Sequence, residues 1–294
     1  MPELPEVEAI RRHLATRVMG LGIQCVNVNR RDVVRDAFGR RRGRIDAVSL
    51  GVGRRIEDVD RRGKQLILRI EGGAAIVIRL GMSGRVDLHP SGTRIQTPHR
   101  HVVWTVAAVG SSHRCRMEFV DPRRFGGVHL ATDPEDLDRR LLARLGPEAH
   151  LIDVRILESR LARTHRAIKV ALLDQGLIAG IGNIYADEAL FGAGLHPTQP
   201  AATLTRRQAE RLARQIRLVL QAAIEAGGST IQSHSLPDGR AGTFTEVHRV
   251  YGRAGRPCEA CGATLRHLVL AARSTTFCPR CQPVDSTSGG TLRS

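Results

Sequence analysis

The chain has 294 residues, which is long enough for two domains of ordinary size. Hydrophobic residues make up 41% of it, which is enough to form buried cores. This composition excludes a disordered polyelectrolyte. Lysine and arginine total 45 against 29 acidic residues, giving a net charge of +16. A charge of this size and sign indicates a polyanionic partner, most commonly nucleic acid, although a solvated surface, a membrane surface or an acidic protein would also fit.

No apolar core of signal-peptide type occurs at the N-terminus, and no run of about 18 apolar residues occurs anywhere. We therefore expect a soluble, cytoplasmic protein without a membrane partner. Structural disulfides are disfavoured in that compartment, so clustered cysteines are better read as metal ligands.

The first predicted element is a helix in the opening MPELPEVEAI. Pro5 suits a first helical position, and Glu6 and Glu8 would offset the positive end of the helix dipole. Pro2 and Glu3 come before the helix, and helix formation does not explain them. Apolar residues at spacings of three and four predict one buried face: Val7, Ile10, Leu14 and Val18.

The following stretch, residues 23–130, reads mostly as strands. Several short strands at close intervals favour a β-sandwich or barrel over a parallel sheet. Cys25 and Cys115 fall in strand-like segments and are expected to be ordinary buried residues. We expect a first domain over residues 1–130 and a polar linker over residues 131–150. The clearest strand segments are rich in β-branched residues: 66–70, 75–78, 101–106 and 116–120.

The apolar period then becomes helical, and we expect a helical domain over residues 151–240. Residues 205–226 predict its clearest helix, because Thr205 and Gln208 form a capping-box pair at the start and two glycines end it. Residues 167–194 read as a helix, a glycine-rich turn region and a second helix.

Four of the six cysteines form two pairs with the pattern C-x₂-C-x₁₆-C-x₂-C. This spacing is typical of a tetrahedral zinc site, and four thiolates would leave no open position, so we expect one structural zinc ion. Zinc deaminases share a P-C-x-x-C half-motif but also need an upstream H-x-E, which this chain lacks. The expected ligands are Cys258, Cys261, Cys278 and Cys281.

Between the cysteine pairs, residues 262–277 predict a two-stranded hairpin with Arg273 near its turn. A zinc-held ribbon carrying an arginine suits entry into a groove or binding of phosphate, although a plain surface arginine would look the same. We expect a zinc finger over residues 241–283 and a disordered Ser/Gly/Thr-rich tail over residues 284–294.

Five further motifs stand in a fixed order along the chain: PELPEVE at 2–8, RRGK at 61–64, LGMSG at 80–84, DPRRFGG at 121–127 and GIGNIYADEAL at 180–190. Together with the cysteine pairs they resemble the formamidopyrimidine-DNA glycosylase / endonuclease VIII family, from Met1 to about Pro283. The resemblance implies an α+β, two-domain fold. An N-terminal helix and an antiparallel β-sandwich would precede a helical domain (helix–two-turns–helix) and a zinc-finger β-hairpin with four cysteine ligands.

The resemblance also implies a role for the unexplained opening residues. Family members lose the initiator methionine, and the new amine of Pro2 is the nucleophile. An α-amino group titrates near pH 8, below the lysine value of about 10.4, so more of it is neutral and able to attack C1′ of a deoxyribose. Glu3 would shuttle protons, and Glu6 would support the site, in competition with its helix role. Lys64 would take part in catalysis near the damaged nucleotide and its phosphate. Without the resemblance, it would be interpreted as a solvated lysine at a strand edge.

Family members flip the damaged nucleotide out of the duplex, and other side chains fill the gap. Met82, Arg123 and Phe125 match the void-filling residues, with Arg123 facing the orphaned cytosine. Without the resemblance, Met82 and Phe125 would be read as core residues. His99 is carried over as a further DNA contact.

The remaining carried-over residues lie in the C-terminal half. Lys169 and Asn183 match phosphate-binding residues, and Asn183 is expected to cap the helix that follows it. Arg273 matches the hairpin arginine that binds phosphate beside the flipped nucleotide and takes part in catalysis.

Three positions depart from the family pattern: Arg79, where histidine is usual, Gln65 and Thr243. We expect altered DNA affinity rather than lost chemistry. By the same resemblance, PELPE, the complete set of void-filling residues and the glycine-rich residues 227–242 favour the branch that acts on oxidised purines over the endonuclease VIII branch, which prefers oxidised pyrimidines. The expected protein is a monomeric glycosylase and lyase acting on damaged double-stranded DNA. A non-enzymatic zinc-ribbon protein remains the alternative, but it leaves the opening residues unexplained.

Overall fold

The computed structural model describes residues 2–37, 39, 48–90, 92, 97–111, 114–229 and 248–284. The chain divides into two compact units, Met1–Arg144 with Ile224–Thr245, and Leu145–Ala223 with Glu246–Ser294. Thr243, the glycine-rich stretch beyond Ser229 and the expected tail beyond Val284 lie outside the described residues. Within those residues, no helix combines the length and the apolar character needed to cross a membrane.

The first unit begins with helix α1, Leu4–Val18. It starts one residue earlier than predicted, because Glu3 is the N-cap in a capping-box arrangement with Glu6. Pro5 still lies in the first turn, where its missing N–H costs nothing. The four residues of the predicted apolar face are all buried, so that face is confirmed.

Two sheets form the body of this unit. Their strands are β1 (Gly22–Val28), β2 (Val34–Asp36), β3 (Ile56–Arg62), β4 (Gln65–Ile70), β5 (Ala74–Arg79), β6 (Arg85–Pro90), β7 (Arg100–Ala107), β8 (Arg114–Val120) and β9 (Gly127–Ala131). One sheet has the strand order β1-β7-β8-β6 and the other β2-β9-β5-β4-β3, and every pairing is antiparallel except β2 with β9. The four clearest strand predictions correspond to β4, β5, β7 and β8.

One core cluster joins α1 to the strands of both sheets, and Trp104 and Phe119 are its largest fully buried aromatic residues. The predicted burial of Cys25 is wrong, because that side chain is exposed. The register of β1 shifts between Ile23 and Cys25, and such a bulge breaks the alternation that would have turned Cys25 inward. Cys115 is half-buried.

The stretch predicted as a linker contains a packed element. Asp136–Leu142 form a π-helical segment whose Leu137 and Leu141 cover the outer face of the five-stranded sheet, against Ile67 and Val77. Polar residues separate these leucines in the sequence, so the segment was predicted to be a polar linker.

The second unit is helical, followed by a hairpin. The predicted capping box at the start of the helix Arg206–Glu225 is confirmed. Thr205 N–H donates to Gln208 Oε1 at 2.8 Å, and Gln208 N–H donates to Thr205 Oγ1 at 3.3 Å. The elements are α2 (Val154–Leu161), α3 (Ile168–Leu173), α4 (Asn183–Ala193), α5 (Arg206–Glu225), β10 (Arg266–Leu270) and β11 (Arg273–Phe277). Short 3₁₀ turns occur at Arg31–Val33, Val48–Leu50, Ala149–Leu151 and Ala201–Thr203. The predicted α+β fold is confirmed.

Candidate active site and zinc centre

The N-terminal segment is built into the first unit. Pro2 is buried, and Glu3 is only 2% exposed. The Glu6 carboxylate accepts the Glu3 N–H at 2.8 Å through Oε2 and the Ser229 N–H at 2.7 Å through Oε1. At Gly228, with φ of +86°, a Cβ would lie 2.8 Å from Glu6 Oε1, so a glycine is needed there. Glu6 therefore ties the opening residues to the start of the glycine-rich stretch.

Lys64 lies half-buried in the turn between β3 and β4. Arg61 fixes this turn, because its guanidinium donates to the Gly63 carbonyl at 2.9 Å and to Glu8 Oε2 at 3.1 Å. Burial alone would raise the pKa of Glu8, but hydrogen bonds and charge from Arg11, together with Arg61, bring that pKa below its ordinary value. The charged Glu8 on α1 thus holds the turn that carries Lys64.

Two glycine-containing loops, residues 80–84 and 121–127, pack directly against each other. A Cβ on Gly81 would lie 2.5 Å from the Gly126 nitrogen, and one on Gly126 would lie 2.3 Å from the Arg79 carbonyl oxygen. Only glycines allow backbones to approach this closely. The loops adjoin because neither of these positions carries a side chain.

A buried carboxylate, Asp121, fixes the conformation of both loops. Its Oδ1 accepts the Ser83 hydroxyl at 2.6 Å, its Oδ2 accepts the Gly126 N–H at 2.8 Å, and its own N–H donates to the His99 carbonyl at 3.1 Å. Ser83 in turn accepts the Arg123 N–H at 3.1 Å. Asp121 was not selected from the sequence, although it stands inside the DPRRFGG motif.

The three expected void-filling residues project from these two loops. Met82 is half-buried, and Phe125 is 61% exposed, so neither is a core residue. The Arg123 guanidinium carbon lies 4.7 Å from the Phe125 ring centroid. That distance permits a cation–π contact, which gives the two side chains a shared orientation. His99 is exposed and stands beside the loops, with φ of +61°.

A row of polar groups lies on the outer face of the five-stranded sheet, next to the first loop. Arg35 pairs in register with His129, and Gln65 pairs with Arg79, the position where the family pattern has histidine. Burial, followed by the charges of Arg79 and Arg35, lowers the pKa of His129 to about 3. His129 is therefore neutral in the folded protein at physiological pH. Nothing in the local sequence marks it as buried, since its neighbours come from other strands.

In the second unit, Lys169 is fully buried. Its Nζ lies 2.6 Å from Asp187 Oδ1 and donates to the Ser274 carbonyl and to Thr275 Oγ1, each at 2.8 Å. Burial raises the pKa of Asp187 to about 6 in spite of the nearby Lys169 ammonium. The expected phosphate contact of Lys169 stays a prediction, whereas its contacts to the hairpin are a feature that the sequence did not indicate.

Asn183 is the first residue of α4, and the expectation that it caps this helix is wrong. Gly182 is the N-cap, and Asn183 Nδ2 donates instead to the Ser274 carbonyl at 2.9 Å. The side chain points to the hairpin because β11 supplies an acceptor there. Its expected phosphate contact remains untested.

Arg273 begins β11, directly after the hairpin turn, and its side chain is exposed. Leu270 pairs with it across the turn, and the two intervening residues, Ala271 and Ala272, have φ of +47° and +56°. Both angles belong to the left-handed region that a tight two-residue hairpin requires. The predicted hairpin, with Arg273 near its turn, is confirmed.

The four cysteines of the paired motif come together at the base of this hairpin. Their Sγ atoms all lie within 4.8 Å of one another, with 3.5 Å between Cys261 and Cys278 and 3.9 Å between Cys258 and Cys281. A tetrahedral zinc ion with Zn–S bonds of about 2.3 Å needs sulfurs about 3.8 Å apart, so the donor set fits the metal. Four thiolates complete the coordination, and the zinc is structural.

Three family models together match most of the chain. The formamidopyrimidine-DNA glycosylase N-terminal domain matches residues 1–128, its H2TH domain matches residues 145–235, and the zinc finger found in FPG and IleRS matches residues 255–284. The formamidopyrimidine-DNA glycosylase of Thermus thermophilus is 44% identical over 286 residues, covering 96% of this chain and 98% of that protein.

This chain belongs to the formamidopyrimidine-DNA glycosylase family.

Solved structures of family members agree with the fold. The crystal structure of MutM (Fpg) from Thermus thermophilus aligns with a TM-score of 0.83 at 41% identity, covering 96% of this chain and 98% of that chain. The Lactococcus lactis Fpg, in a complex with DNA that contains an abasic site, aligns with a TM-score of 0.84 at 32% identity, covering 96% of this chain and 100% of that chain. The zinc-finger family match accounts for the four cysteines at the hairpin base.

Proposed function

We propose that the chain is a bifunctional DNA glycosylase and AP lyase of base excision repair. Its substrate would be double-stranded DNA with an oxidised purine, 8-oxoguanine or a formamidopyrimidine, opposite cytosine. Support comes from the relatives, which are named formamidopyrimidine-DNA glycosylases, and from a Lactococcus lactis Fpg variant solved with DNA that contains Fapy-dG.

The observation that carries the proposal is the buried N-terminal segment. Chain termini are usually poorly ordered unless something holds them. Here Pro2 and Glu3 are buried, and Glu6 accepts the Glu3 N–H. A protein that only binds nucleic acid has no need of an ordered Pro-Glu terminus, whereas a terminal nucleophile must be held in place.

The first chemical step is displacement of the base. After removal of Met1, the neutral Pro2 amine attacks C1′ of the flipped nucleotide, and the N-glycosidic bond breaks as the C1′–N bond forms. Glu3 transfers the proton that opens the sugar ring, which leaves an iminium between Pro2 and C1′. Lys64, on the turn fixed by Arg61, would bind the phosphate beside that nucleotide.

The second step is strand cleavage. The iminium makes the C2′ hydrogen acidic, so its loss as a proton expels the 3′ phosphate by β-elimination, and δ-elimination then expels the 5′ phosphate. Water hydrolyses the remaining iminium and returns the Pro2 amine. Arg273 would bind the phosphate beside the flipped nucleotide and assist the δ-elimination. Met82, Arg123 and Phe125 would fill the gap in the stack.

Borohydride trapping tests this proposal. The protein is incubated with an 8-oxoguanine·C duplex and borohydride, which reduces an iminium to a stable amine, and the cross-linked residue is mapped by mass spectrometry. We expect an adduct on Pro2 that is lost when Met1 is retained. An adduct formed only on an oxidised-pyrimidine duplex would assign the chain to endonuclease VIII chemistry. Tight DNA binding without an adduct on any lesion, with Met1 removed, would leave a non-enzymatic DNA-binding protein.

A further inference from the structure

Protein groups surround the Lys169 ammonium group. Nζ forms an ion pair with Asp187 Oδ1 and donates hydrogen bonds to the Ser274 carbonyl and to Thr275 Oγ1. The side chain is also fully buried. A buried lysine that is paired with a carboxylate and bonded to a neighbouring strand holds protein groups together.

The groups that Lys169 holds are the residues immediately after Arg273. The Thr275 hydroxyl accepts from Lys169 Nζ at 2.8 Å and lies 3.4 Å from the Arg273 carbonyl oxygen, to which it donates. The Ser274 carbonyl accepts from both Lys169 and Asn183, so both of its lone pairs are used. A continuous path of hydrogen bonds therefore leads from Lys169 to the backbone of Arg273.

Asp187 fixes the same strand from a second direction. Its Oδ2 accepts the Thr276 N–H at 3.0 Å while its Oδ1 pairs with Lys169. The adjoining residue of α4, Glu188, accepts the backbone N–H groups of Val250 and Tyr251, each at 2.9 Å. Two consecutive carboxylates of α4 thus bind two separate segments: Glu188 binds the backbone at Val250 and Tyr251, and Asp187 binds the strand that begins with Arg273.

We propose that the buried Lys169–Asp187 pair is a positioning element: it fixes β11 so that the exposed Arg273 guanidinium is held where it can bind a DNA phosphate, and Lys169 makes no phosphate contact of its own. This inference rests on the proposed function, which supplies the phosphate contact of Arg273. It assigns Asp187, which the sequence did not single out, to the same task.

The salt dependence of DNA binding distinguishes positioning from direct contact. Each phosphate contact adds about 0.9 to the slope of log Kd against log salt concentration on duplex DNA. Lys169→Met alone would leave a buried carboxylate without its partner and could unfold the protein. Lys169→Met with Asp187→Asn removes both charges and keeps an oxygen acceptor for the Thr276 N–H, so this double variant is the one to measure.

The experiment uses the full zinc-loaded chain and a duplex with a stable abasic-site analogue. Metal content and thermal unfolding are measured first, to show that the double variant is folded. We expect Arg273→Ala and the double variant each to lower the slope by about 0.9. We expect Arg273→Ala to lower it no further in the double-variant background. Arg266, exposed at the far end of the hairpin, is the matched control: Arg266→Ala should have the same effect in both backgrounds.

Two results would overturn the inference, and they are separable. If Arg273→Ala lowers the slope equally in both backgrounds, Arg273 does not depend on the pair, and any loss in the double variant reflects a direct contact of Lys169. If Arg273→Ala leaves the wild-type slope unchanged, Arg273 binds no phosphate, and its role in the proposed function falls as well. A Pro2 adduct in the borohydride experiment would show that the rest of the proposed function survives.

Discussion

Replacing His129 with leucine tests whether the polar row on the outer sheet face controls stability in acid. The imidazole is 3% exposed, and burial with the charges of Arg79 and Arg35 lowers its pKa from 6.5 to about 3. Between these two pKa values, His129 is protonated in the unfolded chain and neutral in the folded protein. Since the unfolded state binds more protons between about pH 6.5 and pH 3, stability is full above that window and falls as the pH drops through it.

The magnitude follows from the two pKa values. With 6.5 for the unfolded state and about 3 for the folded state, the cost of folding with a neutral His129 is about 2 kcal/mol at pH 5 and close to zero at pH 7.5. Leucine is similar in size and takes no proton. His129→Leu should therefore lose about 2 kcal/mol less stability than the wild type between these two pH values.

Urea denaturation followed by tryptophan fluorescence measures this difference, because Trp104 is the single tryptophan and is fully buried in the same unit. His165→Leu is the matched control, since that histidine is exposed and lies in the other unit. The reasoning is refuted if the wild type and His129→Leu lose equal stability between pH 7.5 and pH 5. That result would mean that the folded protein accommodates the charged imidazole between two arginines.

Three further substitutions test the site and the metal centre. Gly126→Ala should lower the free energy of unfolding by about 1–3 kcal/mol in urea denaturation, because the new methyl group would lie 2.3 Å from the Arg79 carbonyl oxygen; unchanged stability would show that the two loops can separate. Glu6→Gln should cost about 1–3 kcal/mol and reduce borohydride trapping, since the amide nitrogen that replaces one carboxylate oxygen cannot accept the backbone N–H bound there; full trapping would remove Glu6 from the positioning of the terminus. Cys281→Ser should release zinc to a chelator that leaves the wild type loaded, with a parallel loss of DNA affinity, both followed by metal analysis and binding assays; retained zinc would mean that three thiolates suffice.

Local patterns predicted the parts of the fold that local physics determines. Thr205 and Gln208 lie within one helical turn of each other, and each satisfies the other's backbone N–H, so the start of α5 could be read from the sequence. The spacing of the cysteine pairs also predicted the metal centre, because the two ligands of each pair are close together in the sequence. Cys25 was misplaced because a bulge one residue away reverses the inward and outward alternation, and bulges leave no reliable mark in a sequence.

The candidate site was predictable only where a family motif covered it. Lys169 could be recognised by resemblance, but its contacts with Ser274 and Thr275 join residues 105 and 106 positions apart, and no periodicity reports such a pairing. His129 shows the same limit, because the arginines that keep it neutral come from two other strands. A residue's charge and burial in the folded protein depend on neighbours that only the topology brings together.

The opening PELPEVE shows why a structural and a functional interpretation of the same residues need not compete. Glu6 is part of the capping box that starts α1, and the same carboxylate binds the backbone at Glu3 and at Ser229. A helix start is one of the few places where a chain's first residues can be ordered at low cost, because the exposed N–H groups there already need acceptors. If Pro2 is the proposed nucleophile, its position one residue before the N-cap would use bonds that the helix forms in any case. Under the proposed function, the capping interaction would also hold Pro2 in place for catalysis, and the two interpretations describe one arrangement.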